Sequence, residues 1–203
     1  YGTLSAWLQD EGVSLTVIGW FSAASSAYAL KFLWAPLVDR CPIPGFTTLL
    51  GQRRGWLLFS QLIVMGAILA LGSTSPGLDL FTTAMWAVAL AFASATQDIV
   101  VDAYRIEILD SERMGAGASN YVVGYRIATF VSGAGALIIA DQAGWFWAYA
   151  TMAGFVVIGI FATLIGPRTQ TDLDKATTVA KAAGSTFSTL LYDAVWMPFA
   201  EFM

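Results

Sequence analysis

The chain has 203 residues, no histidine and a single cysteine, Cys41. Imidazole-based triads, histidine zinc sites, clustered-cysteine metal sites and any intrachain disulfide framework are thereby excluded. Charge is also scarce: Asp, Glu, Lys and Arg make up 12% of the residues against 57% apolar ones, and the net charge is −4. Soluble domains carry roughly a quarter charged residues, and a water-facing surface built from so few would expose large apolar patches. No basic stripe suited to a phosphate backbone is present, so nucleic acid is not an expected partner. The chain opens at Tyr1 with no basic n-region and no signal-peptide pattern. What remains is an apolar chain, of mean hydropathy +0.67, whose chemistry must come from carboxylates, Arg, Lys, Tyr and amides.

Charge-free runs mark the expected membrane spans. Gly55 to Leu78 and Gln142 to Pro167 carry no formal charge and are long enough to cross a hydrocarbon core of ~30 Å with some tilt. Gly12 to Leu30 and Leu80 to Gln97 are similar runs, each continued by helical sequence that carries charges. Ile127 to Ala140 reaches spanning length only if its helix begins near Ser119 and takes Arg126 inside. The expected spans are a truncated first helix ending near Gln9, then Ser14 to Val38, Trp56 to Ser73, Leu80 to Arg105, Ser119 to Ala140 and Trp145 to Ile165. The expected fold is therefore an all-α membrane protein, a six-helix bundle over residues 1–166 whose first helix is cut.

Loops counted alternately place Arg40, Arg53, Arg54, Arg113, Arg168, Lys175 and Lys181 on one side. The other side holds Asp10, Glu11, Asp79 and Asp141 and no Lys or Arg. The positive-inside rule makes the first side cytoplasmic. A missed or invented helix would scramble this asymmetry, so it also supports the span count. Trp56 and Trp145, at the edges of their spans, suit the interfacial aromatic belt. Residues 167–203 are expected to form a cytoplasmic linker, flexible from Thr169 to Ser185. Phe187, Leu190, Leu191, Val195 and Phe199 then recur at helical spacing, an amphipathic segment leading toward a missing second half.

At about 100° per residue, Ala87, Ala91, Ser94, Asp98, Asp102 and Arg105 fall on one stripe of the fourth span. Ionisable groups at membrane depth are costly and face a bundle interior or an aqueous cavity, so the stripe marks a candidate pathway. Asp102 and Arg105 also suit an i,i+3 pair at the helix end. Lys31 in the second span and Arg126 in the fifth are the two cations able to meet Asp98, unless they snorkel to the interface. Asp98 with Arg126 is the sharper pairing, because an exchangeable carboxylate–cation pair couples proton uptake to a conformational change without a net buried charge.

Pro36-Leu37-Val38-Asp39-Arg40 followed by Gly51-Gln52-Arg53-Arg54-Gly55 is similar to the loop signature of major facilitators, an acid at a helix end answered by a basic pair. Lys31-Phe32-Leu33-Trp34-Ala35-Pro36, Arg53-Arg54-Gly55-Trp56, Ala95-Thr96-Gln97-Asp98-Ile99-Val100-Val101-Asp102-Ala103-Tyr104-Arg105 and Gly115-Ala116-Gly117-Ala118 before Gly124-Tyr125-Arg126 together resemble the AmpG muropeptide permease family. The resemblance spans nearly the whole chain and implies the N-terminal half of a twelve-helix facilitator in the bacterial inner membrane, multi-pass, importing anhydromuropeptides with protons. Its partners would be lipid, a glycopeptide substrate, protons and a second six-helix half. No cofactor and no metal are implied.

A glycopeptide with sugar hydroxyls and free carboxylates needs amide and aromatic groups and a cation. Gln97, Tyr28, Tyr125 and Arg126 are the expected substrate-binding residues. Asp98, Asp102, Arg105, Arg126 and Lys31 form the expected proton-coupling network, and Asp39, Arg40, Arg53 and Arg54 a gating loop that meets Asp102 or Glu107. Alternatives are a facilitator for another substrate, such as acetyl-CoA, whose transporter family shares the run from Lys31 to Pro36, or a non-transporting membrane assembly factor. An enzyme is not expected, because Asp98 and Asp102 adjoin Arg105 rather than a metal site.

Overall fold

The computed structural model describes residues 2–21, 26–169 and 171–172. Its elements are helical throughout, with no strand among the described residues. Helices α1 (Gly2–Asp10), α2 (Leu15–Phe21), α3 (Ser26–Leu30), α4 (Ala35–Arg40) and α5 (Phe46–Leu50) are short. Helices α6 (Gln52–Gly72), α7 (Leu80–Ile108), α8 (Met114–Phe130), α9 (Ala136–Ala143) and α10 (Trp145–Ile165) follow. α8 and α9 are joined through a π turn, Val131–Gly135, into one run. Four segments are long and apolar enough to cross a membrane: α6, α7, the α8–α9 run and α10. They coincide with four of the expected spans to within a few residues at each end. The expected linker beyond Asp172 and the amphipathic stretch from Phe187 lie outside the described residues.

The span expected as one helix over Ser14 to Val38 is broken among its described residues. After α3 the chain tightens into a 3₁₀ turn, Lys31–Leu33, and restarts at α4. Pro36 is the cause: it has no N–H to give, and in a continuous α-helix its ring would strike the carbonyl of Phe32. In the first turn of α4 both defects are harmless. Leu37 and Val38 both donate to the Trp34 carbonyl, at 3.0 and 3.2 Å, which closes the new helix start.

The two ends of the bundle separate by charge. At one, Trp145 Nε1 donates to Asp10 at 2.8 Å, Glu11 lies over Gly77, and Asp79 caps α7 by accepting from Thr82 N at 3.0 Å. Hydrogen bonds from Thr82, its hydroxyl first, hold the Asp79 carboxyl below the usual carboxylate range. At the other end lie Asp39, Arg53, Glu107 and Arg168. Each end has its own core: Trp7, Leu71, Ala87 and Tyr149 at the acidic end, and Val38, Leu57 and Val100 at the basic end. Outward-facing Leu62, Phe155, Ile158 and Phe161 are exposed, the disposition that suits a lipid solvent as apolar as the side chains themselves.

The first residues of the stretch expected to be flexible are packed down instead. Thr169 and Asp172 are 2% and 1% exposed. Composition alone reads them as a polar tail, but their hydroxyl and carboxylate have backbone partners on the bundle and on each other.

Close packing of α6 on α10 rests on small residues, as expected where lipid offers no hydrophobic drive between helices. A Cβ on Gly72 would come within 2.5 Å of Tyr149 Cβ, while Thr163 donates to Gln61 Oε1 at 3.1 Å across the same interface. Gly72→Ala is therefore expected to force the helices apart and cost about 1–3 kcal/mol. Thermal melting in detergent reads this as a lower Tm, whereas Gly66→Ala, where nothing lies within 4 Å, should not lower Tm, Ala being the better helix former.

Candidate functional site

The turn that Pro36 imposes sets Lys31 against α7. Lys31 Nζ lies 2.5 Å from Asp98 Oδ2 and 3.9 Å from Asp102 Oδ2. Arg105 reaches back one turn to Asp102 Oδ1 at 3.2 Å, and its guanidinium sits 5.0 Å from the Tyr121 ring centroid. The Tyr121 hydroxyl in turn donates to Asp98 Oδ1 at 3.3 Å. Two carboxylates and two cations thus alternate along one side of α7, and the four charges sum to zero.

The carboxylate of Asp98 pairs with Lys31 and not with Arg126. Helical phase explains this correction. Tyr121 and Arg126 are five residues apart, about 140° around α8, so the rotation that points Tyr121 at Asp98 points Arg126 elsewhere. Arg126 is exposed and has no ion pair among the described residues. Tyr125, four residues from Tyr121, is 65% exposed on the Tyr121 side of the helix. Tyr121 itself was not among the expected site residues. Its position two turns into α8 was the only signal, and that signal needs the phase of α8 to be known.

A cleft of about 420 Å³ opens beside the ion pair, lined by Tyr28, Ser94, Gln97, Asp98 and Tyr121. A second cavity of about 230 Å³ lies next to it toward the acidic end, with Tyr28, Ala87, Ala91, Ser94 and Tyr149 in its wall. Tyr28 and Ser94 belong to both. The small-residue stripe of α7 is what leaves this room. Gln97 Oε1 and the Tyr149 hydroxyl are buried without a hydrogen-bond partner, so each retains capacity for a polar ligand or water. Among the described residues no group of three or more His, Cys, Asp or Glu is placed to hold a metal ion.

At the basic end the expected gating residues divide into two roles. Arg53 bonds Asp39 through Nη1 and Glu107 Oε1 through Nε, the latter at 2.7 Å, so that it ties the ends of α4 and α7 to the start of α6. Arg54 faces the other way. It is 6% exposed and donates through Nε to the Thr163 carbonyl at 2.9 Å and through Nη2 to the Leu164 carbonyl at 2.6 Å, capping α10. Arg40 is exposed at the end of α4. Buried Gln52 performs the same service for α4 as Arg54 does for α10: its Nε2 donates to the Val38 and Cys41 carbonyls at 2.9 and 2.8 Å.

Comparison with known proteins fits this arrangement. The profile of the Major Facilitator Superfamily matches residues 1–202. The chain belongs to the major facilitator superfamily. It is 47% identical over 167 residues to the anhydromuropeptide permease of Escherichia coli K12, a match covering 82% of the chain and 33% of that relative. It is 37% identical over 160 residues to a putative transporter, AmpG 4, of Rickettsia felis, covering 79% of the chain and 37% of the relative. An uncharacterised protein of Haemophilus influenzae is 36% identical over 200 residues, covering 98% and 44%. The chain thus spans between a third and a half of the length of these relatives. No solved structure matches. As a facilitator with several apolar spanning helices, the protein is a multi-pass membrane protein.

The division between the two neighbouring arginines is testable. Arg54→Ala strands the buried Thr163 carbonyl at the end of α10, at a cost of about 1–3 kcal/mol, and frees the half-buried Leu164 carbonyl beside it. A clear drop in Tm in detergent is expected, and a Tm equal to that of the unsubstituted protein would remove Arg54 from the framework.

Proposed function

We propose that the protein is the N-terminal six-helix part of a proton-coupled importer of anhydromuropeptides in the bacterial inner membrane, completed by a second six-helix half. The observation that carries this reading is the partly enclosed Lys31–Asp98 pair at the edge of a polar cleft, in a chain 47% identical to an anhydromuropeptide permease. Facilitator substrates bind between two halves near the bilayer midplane. Of the groups a glycopeptide requires, the cleft offers the orphaned Gln97 Oε1 for a donor and Tyr28 for a sugar face and hydroxyl, while Tyr125 and Arg126, exposed on α8 outside its lining, would serve a substrate that reaches beyond it.

Asp98 is the proton acceptor in this scheme. When it is protonated, Lys31 loses its first partner, but Asp102 already stands 3.9 Å away. Lys31 and Arg105 then share Asp102, so each cation keeps a partner while the four groups together carry the single positive charge the proton brings. Such a hand-over pulls the segment carrying Lys31 along α7 toward the basic end. There Asp39, Arg53 and Glu107 hold the cytoplasmic side closed, a bistable rather than strong restraint because ion pairs near water contribute little individually.

Uptake of labelled anhydromuropeptide by membrane vesicles, with and without a proton gradient, tests the scheme. Asp98→Asn is expected to abolish gradient-driven accumulation while substrate binding persists. Gradient-driven uptake that survives the substitution would remove Asp98 from coupling. The orientation is tested separately: cysteines introduced near Asp10, Asp79 and Asp141 should label from the periplasm and one near Arg113 should not. The opposite pattern would invert the topology.

A further inference from the structure

The chain that leaves α10 is fastened to the bundle by bonds the transport scheme does not use. Asp172 lies at the centre of them. Its Oδ1 accepts from the Arg53 backbone N–H at 2.6 Å and, more weakly, from that of Arg54 at 3.4 Å. Its Oδ2 accepts from the Thr169 N–H at 3.1 Å, and Thr169 Oγ1 accepts from the Asp172 N–H at 3.0 Å, a reciprocal pair like that of a capping box. The carboxylate therefore serves as the cap of α6, where the N-cap position is Gly51 and has no side chain to offer. A negative charge at that helix end also meets the positive end of the helix dipole.

Gly51 is committed to this contact twice. Its φ of +94° lies where side chains are rarely tolerated, and a Cβ there would overlap the Cα and Cβ of Asp172. Nearby bonds hold the rest of the segment: the Tyr104 hydroxyl donates to the Pro167 carbonyl at 2.8 Å, and Arg168 donates to the Leu49 carbonyl at 3.3 Å. Residues 166–169 and 171–172 thus form a strap across the start of α6 and the end of α7.

The strap and the charge network meet at Arg53, and the Thr169 and Thr171 side chains also hydrogen-bond Glu107. Arg53 is held at its amide by Asp172 and at its guanidinium by Asp39 and Glu107. A side chain that must reach two carboxylates on different helices depends on where its own backbone is fixed. We propose that Asp172 is a positioning residue for the network at the basic end: it fixes Arg53 so that the guanidinium bridges Asp39 and Glu107, and the strap and the network release together. The inference rests on the gate reading given above. Its consequence is that movement of the chain beyond α10 is transmitted to the gate through a backbone hydrogen bond.

Cys41 provides the readout. It is the chain's one cysteine, 6% exposed, and its carbonyl accepts from Gln52 and Trp56 beside the end of α4. Its rate of labelling by a water-soluble maleimide in membrane vesicles, followed on the Cys41 peptide by mass spectrometry, reports opening of the basic end. Asp172→Ala is expected to raise the rate about tenfold, the population shift that loss of a helix cap produces. Gly51→Ala, which displaces Asp172 without removing any charged side chain, should do the same, and Thr169→Ser, which keeps the hydroxyl, should label like the unsubstituted protein. Asp39→Asn breaks the network directly and should also raise the rate. If Asp172 acts through Arg53, Asp39→Asn combined with Asp172→Ala labels no faster than the faster single variant. Rates that multiply in the double variant, or an inserted Asp172→Ala and Gly51→Ala that both label at the unsubstituted rate, overturn the inference. Asp39→Asn labelling at the unsubstituted rate instead overturns the gate reading itself.

Discussion

Inside a bilayer a backbone carbonyl or amide that loses its helical partner has no water to turn to, and the architecture of this bundle is organised around that cost. Several of the places where a helix starts or stops are met by a polar side chain. Gln52 closes the end of α4, Arg54 closes the end of α10, Asp79 opens α7 and Asp172 opens α6. Thr3 at the acidic end donates to the Ser132 carbonyl, inside the π turn, at 2.8 Å. The polar residues of a chain so poor in charge are concentrated at these discontinuities, where an unpaired group would cost most.

The charges that remain obey a second economy. Lys31, Asp98, Asp102 and Arg105 are neutral as a set, and each carboxylate has more than one cation or hydroxyl within reach. A set of this kind resists removal of any member more than it resists rearrangement, because alternative pairings of the same four groups are close in energy while a lone charge is not. Arg53 between Asp39 and Glu107 repeats the pattern nearer to water, where screening makes it easier to open.

Much of this was readable in the sequence, and what was not has a common cause. The lengths of charge-free runs located α6, α7, the α8–α9 run and α10, because hydrocarbon thickness is a one-dimensional constraint and sequence is a one-dimensional record. Depth was therefore legible, and so was the stripe of small residues on α7. Rotation was not: Arg126 sits at a suitable depth to meet Asp98, but only the seating of Tyr121 fixes the phase of α8. The break at Lys31–Leu33 had a visible cause in Pro36, yet the unbroken apolar pattern outweighed it. Arg53 and Arg54 read as equivalent basic residues, although neighbours on a helix point about 100° apart and one of them turned inward. The Thr-x-x-Asp spacing at 169–172 was present, but polar composition concealed that its two side chains are buried.

The π turn between α8 and α9 has a geometric meaning beyond the carbonyl it exposes. A single π turn inserts one residue beyond the α repeat, so the helices on its two sides are out of step by about 100° while their axes continue as one. α8 and α9 therefore choose their outward faces independently. The first offers Tyr121 and Tyr125 on one side and Arg126 on another, whereas the second lays Ala136 against the interior at 1% exposure. Deletion of one residue within Val131–Gly135 would restore an unbroken α-helix and turn every side chain on one half relative to the other. The five small and β-branched residues of that turn thus act as a phase joint, one that lets a single membrane crossing carry two differently directed surfaces.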